Sequence, residues 1–141
     1  MDVGGEIRLG SYLFTMIEPH PGHEIAYNRW YERDHFYAGC MIGPWLFSGG
    51  RFVATRDLKA MRIGEEPGLF GEHAGSTLSI YWVLDGKMEE HFDWGTRQVH
   101  WLHANDRMFP HREHVHTNLY SHRSVSQRDP DGCPLEVALD H

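Results

Sequence analysis

Residues 76–84 read STLSIYWVL, and this stretch decides the fold that the sequence predicts. It is a run of β-branched and aromatic residues that ends at Asp85-Gly86, which is the pattern of a strand. Side chains alternate between the two faces of a strand, and here both sets are apolar. One set is Leu78, Ile80, Trp82 and Leu84, and the other is Tyr81 and Val83. Because both faces must be buried, a cover is needed on each side of the sheet.

The stretches on either side of this strand supply the rest of a ferredoxin-like α+β domain. Apolar and alternating patterns predict strands over residues 9–19, 45–55, 76–84 and 113–123. Amphipathic patterns predict helices over residues 23–39, where Gly39 is the stop signal, and over residues 87–104. The order β-α-β-β-α-β gives a four-stranded antiparallel sheet with two helices on one face. A second copy of the chain is expected on the other face, which makes a homodimer and a dimeric α/β barrel.

Two segments have less regular patterns. Residues 57–75 carry several Gly and Pro and are predicted as a long loop with a short helical turn. Residues 135–141, LEVALDH, are predicted to form a short extra strand or to dock on the partner.

Length and composition fit a single domain over residues 1–141, with a core at 9–123 and a C-terminal extension at 124–141. The chain has 13 basic and 20 acidic residues, a formal charge of −7, and no basic stripe. This pattern argues against nucleic acids and membrane surfaces as partners. The two cysteines, Cys40 and Cys133, do not make a disulfide framework or a CxxC motif. Because no signal peptide or transmembrane run stands out, we expect a cytoplasmic protein.

The first predicted helix and the strand after it carry a pattern known from one family. The stretches NRWYERDHF at 28–36, GP at 43–44 and FSGGRFVA at 47–54 resemble a motif of the EthD-like branch of the dimeric α/β barrel superfamily. The matching positions are Trp30, Tyr31, Asp34, His35, Pro44, Arg51 and Phe52. The resemblance implies the same fold, a homodimer, and a ligand pocket between the sheet and its helices, beside helix one. The superfamily includes cofactor-independent monooxygenases, polyketide cyclases, lactone isomerases and haem-handling proteins.

Helix one also carries a candidate acid/base group. A histidine such as His35 titrates near neutrality and can move a proton to or from a bound enol or phenol. Tyr31 is placed one helical turn before it. Asp34 is adjacent in sequence, so on an α-helix its side chain points about 100° away from that of His35. The alternative is structural: His35 hydrogen-bonds a strand, and Asp34 pairs with a surface base.

The fourth strand is rich in histidine. His114, His116, Asn118, Tyr120 and His122 occupy alternate positions and are predicted to face one side. This row is a metal-free pocket wall, a metal site or a solvated face. As a zinc or iron site it needs a third ligand, for which the candidates are His35, His73, His103 and Glu113. His100 and His103, three residues apart on helix two, are interpreted as a partly buried pair rather than as metal ligands.

The leading hypothesis is a small cytoplasmic enzyme of the dimeric α/β barrel type that binds a small organic molecule. It would perform acid/base cyclisation, isomerisation or dehydration of an aromatic or polyketide-like substrate without a cofactor. The predicted catalytic residues are His35, Tyr31 and His116, and the predicted substrate-binding residues are Trp30, Phe14, Trp82, Tyr120 and Asp34. Two alternatives stay open. One is a non-haem enzyme with a divalent metal on His114 and His116, and the other is a non-enzymatic ligand-binding or accessory protein.

Overall fold

The chain folds into an α+β domain, which a computed structural model describes for residues 7–64, 74–126 and 131–132. The strands are β1 (Leu9–Pro19), β2 (Leu46–Val53), β3 (Thr77–Leu84) and β4 (Arg112–Ser121). The helices are α1 (Glu24–Trp30), which continues as a π-helix over Tyr31–Met41, then α2 (Arg56–Ala60) and α3 (Met88–Ala104). The sequence predicted the four strands and the two long helices to within two residues at each end.

The four strands form one antiparallel sheet in the order β2-β3-β1-β4. Strands β1 and β3 are therefore central, and each pairs on both of its edges. This antiparallel sheet with its helices is compatible with a ferredoxin-like fold. In the part of the chain that the structure describes, no helix is both long enough and apolar enough to cross a lipid bilayer.

The two faces of β3 are buried to different degrees. Tyr81 and Val83 point to the side of the long helices and are 0% exposed. The opposite set, with Ile80 and Trp82, is only half-buried. Strand β1 alternates in the same way, with Ile17 in the core cluster under Tyr27 of α1. The long helices therefore cover one face, as the sequence predicted.

The first long helix does not stop at Gly39. It continues to Met41 with the wider turn of a π-helix, in which the backbone bonds run from residue i to residue i+5. Gly39 is buried inside this segment, and a Cβ built there would lie 2.5 Å from Cε1 of His35. A side chain at this position would have to displace the imidazole ring of His35, so the role of this glycine is close packing and not the end of the helix.

Strand β4 contains a bulge that overturns the predicted histidine row. Met16 of β1 pairs with His116, but the next residue, Ile17, pairs with His114, so Val115 is an extra residue on β4. An extra residue reverses the alternation of side chains between the faces. The prediction that His114 and His116 share a face is therefore wrong. His114 lies on the helix side of the sheet and His116 on the opposite side.

The connection after β2 contains the predicted helical turn, which is α2. The hydroxyl of Thr55 caps it by accepting a hydrogen bond from the backbone N–H of Leu58, at 3.4 Å. The rest of the predicted loop lies partly in residues 65–73, outside the described residues. The predicted C-terminal strand, His73 and Cys133 also lie outside them.

Candidate functional site

A cavity of about 390 Å³ lies between the sheet and the long helices. Its floor is the helix side of β1 and β4, formed by Leu13, Thr15, Ile17, Thr117 and Leu119. One wall belongs to α1 and the π-helix, with Tyr27, Trp30, Tyr31, His35, Gly39 and Cys40. The roof is α3, with His91, Phe92, Trp94, Gly95, Thr96, Val99, His100 and His103. This is the position that the family resemblance implied, beside helix one.

The position of α3 creates the cavity. This helix packs mainly against the π-helix and β3 through its buried side, which carries His91 and Leu102. Its neighbouring side, with Phe92 and His103, lies above β1 and β4 and stays exposed. The cavity is therefore open to solvent along one edge of α3, and a small molecule has a way in.

His35 lies in the wall of the cavity, where its ring contacts two aromatic side chains. Its ring stacks on Trp30 with the centroids 4.5 Å apart, and it meets the ring of Tyr31 edge-on at 5.2 Å. Burial lowers its pKa to about 4, and the positive charge of Arg112 acts in the same direction. The imidazole is therefore neutral at pH 7. Its Nδ1 is buried without a hydrogen-bond partner among the described residues.

Tyr31 also lines the cavity, but its hydroxyl is engaged. It lies 2.5 Å from the hydroxyl of Tyr81, in a buried pair. Burial raises the pKa of both phenols and that of the Cys40 thiol, which rises to about 11. All three groups are protonated at neutral pH. Tyr31 thus contributes a neutral hydroxyl and an aromatic edge to the wall.

Asp34 points away from the cavity and holds the helix in place. Both of its carboxylate oxygens accept hydrogen bonds from Arg107, which lowers the pKa of the carboxyl. The backbone carbonyl of Arg107 accepts a hydrogen bond from Nε1 of Trp30, at 2.8 Å. Asp34 is therefore not a partner of His35, as expected for adjacent residues whose side chains point about 100° apart on a helix. It also does not line the cavity, where a substrate would bind.

Arg112 and His114 were not predicted to share a site with His35. The guanidinium of Arg112 lies 4.7 Å from the centroid of the Trp30 ring and donates to the carbonyl of Phe109 at 2.6 Å. Nδ1 of His114 lies 2.8 Å from the hydroxyl of Thr117, and burial lowers its pKa with help from Arg112. Both side chains line the cavity. The start of β4 held no motif that distinguished Arg112 from a surface arginine.

Four predicted site residues lie on the other face of the sheet. Phe14 contacts His116 and Tyr120 edge-on, with ring centroids 5.7 and 6.3 Å apart, and Trp82 packs on Tyr12. Nε2 of His116 lies 2.5 Å from the hydroxyl of Tyr120. The structure therefore brings Trp30, Tyr31, His35 and His114 to one cavity. It does not bring Phe14, Trp82, Tyr120 or His116 to it.

The histidines of β4 do not form a metal site in the part of the chain described. His114 and His116 face opposite sides of the sheet, so they do not converge on one ion. Among the described residues, no group of three or more His, Cys, Asp or Glu side chains is arranged to hold a metal. His100 and His103 line the cavity roof and are both exposed, so the prediction that they form a partly buried pair is wrong.

The fold and the cavity define a class, an α+β domain with an open, aromatic-walled cavity that presents the neutral imidazole of His35. Comparisons with family models, with curated proteins and with solved structures found no match to the chain. The likeness to the EthD-like branch therefore stays a prediction from the helix-one motif.

Proposed function

We propose that this chain is a small enzyme that uses the cavity for acid/base chemistry on an aromatic or polyketide-like molecule. The reaction class is cyclisation, isomerisation or dehydration through an enol, without a cofactor. The observation that carries the proposal is His35, a neutral imidazole whose buried Nδ1 has no hydrogen-bond partner among the described residues, in the wall of a cavity large enough for a small ring system.

The roles of the cavity residues follow from their chemistry. In this proposal a flat substrate lies against the apolar floor at Leu13, with the edge of the Trp30 ring beside it, since that ring already stacks on His35 and lies under Arg112. His35 takes a proton from a carbon next to a carbonyl and returns it at another position. Tyr31 donates to a substrate oxygen when its bond to Tyr81 opens, and His114 is the second imidazole, the role predicted for His116. The metal-dependent alternative has no cluster of ligands to support it among the described residues.

A solvent-exchange experiment tests this proposal without the natural substrate. The ketone 2-tetralone carries acidic protons beside its carbonyl, and their replacement by deuterium in D₂O is followed by NMR. We expect the wild-type protein to accelerate the exchange and the His35→Gln variant to lose about 10²-fold of that acceleration. The exposed His122→Gln is the matched control and keeps the wild-type rate.

Two results would contradict the enzymatic proposal. One is a His35→Gln variant that is folded and exchanges at the wild-type rate. The other is a wild-type protein that binds 2-tetralone without accelerating its exchange, which favours the non-enzymatic ligand-binding alternative.

The proposal includes a homodimer of the α/β barrel type, formed through the sheet face opposite the cavity. This face carries Tyr12 stacked on Tyr120, with ring centroids 5.4 Å apart, and Tyr12 also packs on Trp82 at 4.9 Å. Phe52 on the same face is 59% exposed. Aromatic residues of this kind are enriched at subunit interfaces. The resemblance to the EthD-like branch points to the same assembly. A cytoplasmic location is also part of the proposal.

Light scattering after size-exclusion chromatography tests the dimer. The wild-type protein is expected at twice the mass of one chain, and Trp82→Arg at the mass of one chain, because a charge on this face would be buried at the interface. The control is Trp101→Arg, which changes a half-exposed tryptophan of α3 on the other side. A monomeric wild-type protein, or a dimeric Trp82→Arg variant, would remove the barrel from the proposal.

A further inference from the structure

We infer that the cavity binds a planar organic acid, with the carboxylate of the ligand on the guanidinium of Arg112. This inference rests on the small-molecule function proposed above and goes beyond it, because it names the charge of the ligand and the residue that recognises it.

Arg112 differs from two other arginines that contact the first helix and its π-helical continuation. Arg51 donates to Glu32 and Asn28, and Arg107 donates to Asp34. Arg112 has no carboxylate partner among the described residues, and the acceptor of its guanidinium there is the backbone carbonyl of Phe109. A guanidinium has five N–H donors, so most of the donors of Arg112 have no protein partner there.

The surroundings of Arg112 make an anion the favoured ligand. It is half-buried and lies over the ring of Trp30, and burial lowers its pKa. None of the described residues that line the cavity is an aspartate or a glutamate. Since His35 and His114 are neutral at pH 7, Arg112 is the permanent charge of the described lining. The cavity is thus locally positive although the chain as a whole carries −7.

The chemistry of the lining specifies the kind of anion. A guanidinium fork matches the two oxygens of a carboxylate, and the pair is stronger where water is partly excluded. The aromatic side chains of Trp30, Trp94 and Phe92 suit a flat hydrocarbon frame rather than a sugar or a free inorganic ion. Half-burial removes part of the water around the guanidinium, and a carboxylate supplies acceptors for the N–H groups that the Phe109 carbonyl leaves over.

The acid has a consequence for His35. The positive charge of Arg112 opposes protonation of this imidazole. A carboxylate on Arg112 offsets that charge, so the bound acid makes His35 a better proton acceptor than it is in the empty cavity. Under this inference the substrate itself completes the catalytic environment.

Calorimetric titration with two matched probes tests the inference. The probes are 2-naphthoate and its uncharged analogue 2-naphthamide, which share one ring system. Wild-type protein is expected to bind 2-naphthoate about 10- to 100-fold more tightly than 2-naphthamide, the range of a hydrogen bond to a charged group. In Arg112→Gln this preference is lost, while the affinity for 2-naphthamide, which also reports that the variant is folded, is retained. Arg29→Gln, which removes an exposed arginine one residue before Trp30, keeps the preference.

The inference is overturned if wild-type protein binds the two probes equally, if it binds neither, or if Arg112→Gln retains the preference. The exchange experiment separates these outcomes from a failure of the proposed acid/base function, because 2-tetralone is uncharged and its exchange does not require Arg112 to bind a carboxylate. If the protein catalyses the exchange but binds 2-naphthoate and 2-naphthamide equally, the proposed function stands and the inference of an acidic ligand is wrong.

Discussion

Aromatic side chains lie on both sides of the sheet, but the two sides hold them differently. On the helix side, Tyr27, Tyr31 and Tyr81 are buried, and their hydroxyls have partners, such as the bond of Tyr27 to Thr77 at 3.4 Å. On the opposite side, Tyr12 and Trp82 pack on each other and remain half-buried. The helices create both a core and a cavity on their side, because α3 covers only part of the sheet. The comparison teaches that aromatic content alone does not locate a ligand site.

The largest expected effect is a difference in stability between two tyrosine-to-alanine variants, one on each face of the sheet. Tyr81→Ala removes a fully buried ring and its hydroxyl bond and should lower the free energy of unfolding by about 3–5 kcal/mol. Tyr12→Ala on the opposite face should cost less, because this ring is only half-buried within one chain. Urea unfolding at a protein concentration that keeps the chains monomeric measures both. Equal losses would contradict the difference between the faces.

The next effect is a loss of stability in acid that comes from the helix side. The pKa of His35 is about 4 in the folded protein and close to 6.5 in the unfolded chain. As the pH falls from 6.5 to 4, the unfolded chain takes up a proton and the folded protein does not, so stability falls. The full stability is present above pH 6.5, and the loss reaches about 2–3 kcal/mol near pH 4.

Replacement of this histidine sharpens the comparison of the faces. In His35→Phe the free energy of unfolding should lose this part of its pH dependence, measured by urea unfolding between pH 4 and pH 7. His116→Phe, on the opposite face, should leave the His35 contribution in place. An unchanged pH dependence in His35→Phe would mean that its imidazole titrates normally.

A smaller effect is expected from a methyl group under the His35 ring. In Gly39→Ala the new Cβ would lie 2.5 Å from Cε1 of His35, so the ring must move. We expect a loss of stability of about 1–3 kcal/mol from overpacking and a decrease in 2-tetralone exchange. Retention of both wild-type stability and wild-type exchange would show that the position of the ring is not constrained.

The smallest expected effect is a gain of stability, from the same glycine-to-alanine change at Gly95, which is the control for Gly39→Ala. A Cβ built on Gly95, in the middle of α3, meets no atom within 4 Å. Alanine has a higher helix propensity than glycine, so Gly95→Ala should raise the melting temperature through about 0.5–1 kcal/mol of added stability. A lower melting temperature would indicate that α3 needs the flexibility of glycine above the cavity.

Much of the fold could be predicted because its signals are local. The alternation in residues 76–84 and the Gly and Pro positions gave the strands and long helices to within two residues. The candidate site was predicted in part. His35, Tyr31 and Trp30 lie in the cavity, since they are close together on one helix and need no distant pairing to meet. Arg112 was missed because its role depends on which residues surround it after folding.

The errors in the site have two sources, a strand bulge and the presence of aromatic residues on both faces of the sheet. Strict alternation predicted that His114 and His116 lie on one face of the sheet. The bulge at Val115 adds one residue to β4 and puts them on opposite faces. Nothing in the local pattern HVHTNLY marks that residue, because the bulge arises from the pairing of β4 with β1. Phe14, Trp82 and Tyr120 were assigned to the pocket on aromatic character, which the two faces share.

By itself, the sequence determined the element order, the two apolar sides of the central strands and the imidazole on the first helix. Each of these depends on the spacing of residues along the chain. The tertiary structure decided which side of the sheet each histidine of β4 faces and that Asp34 pairs with Arg107. It also decided that Arg112 lines the cavity with no carboxylate partner among the described residues. These depend on strand register and helix position, which are set by contacts between residues far apart in sequence.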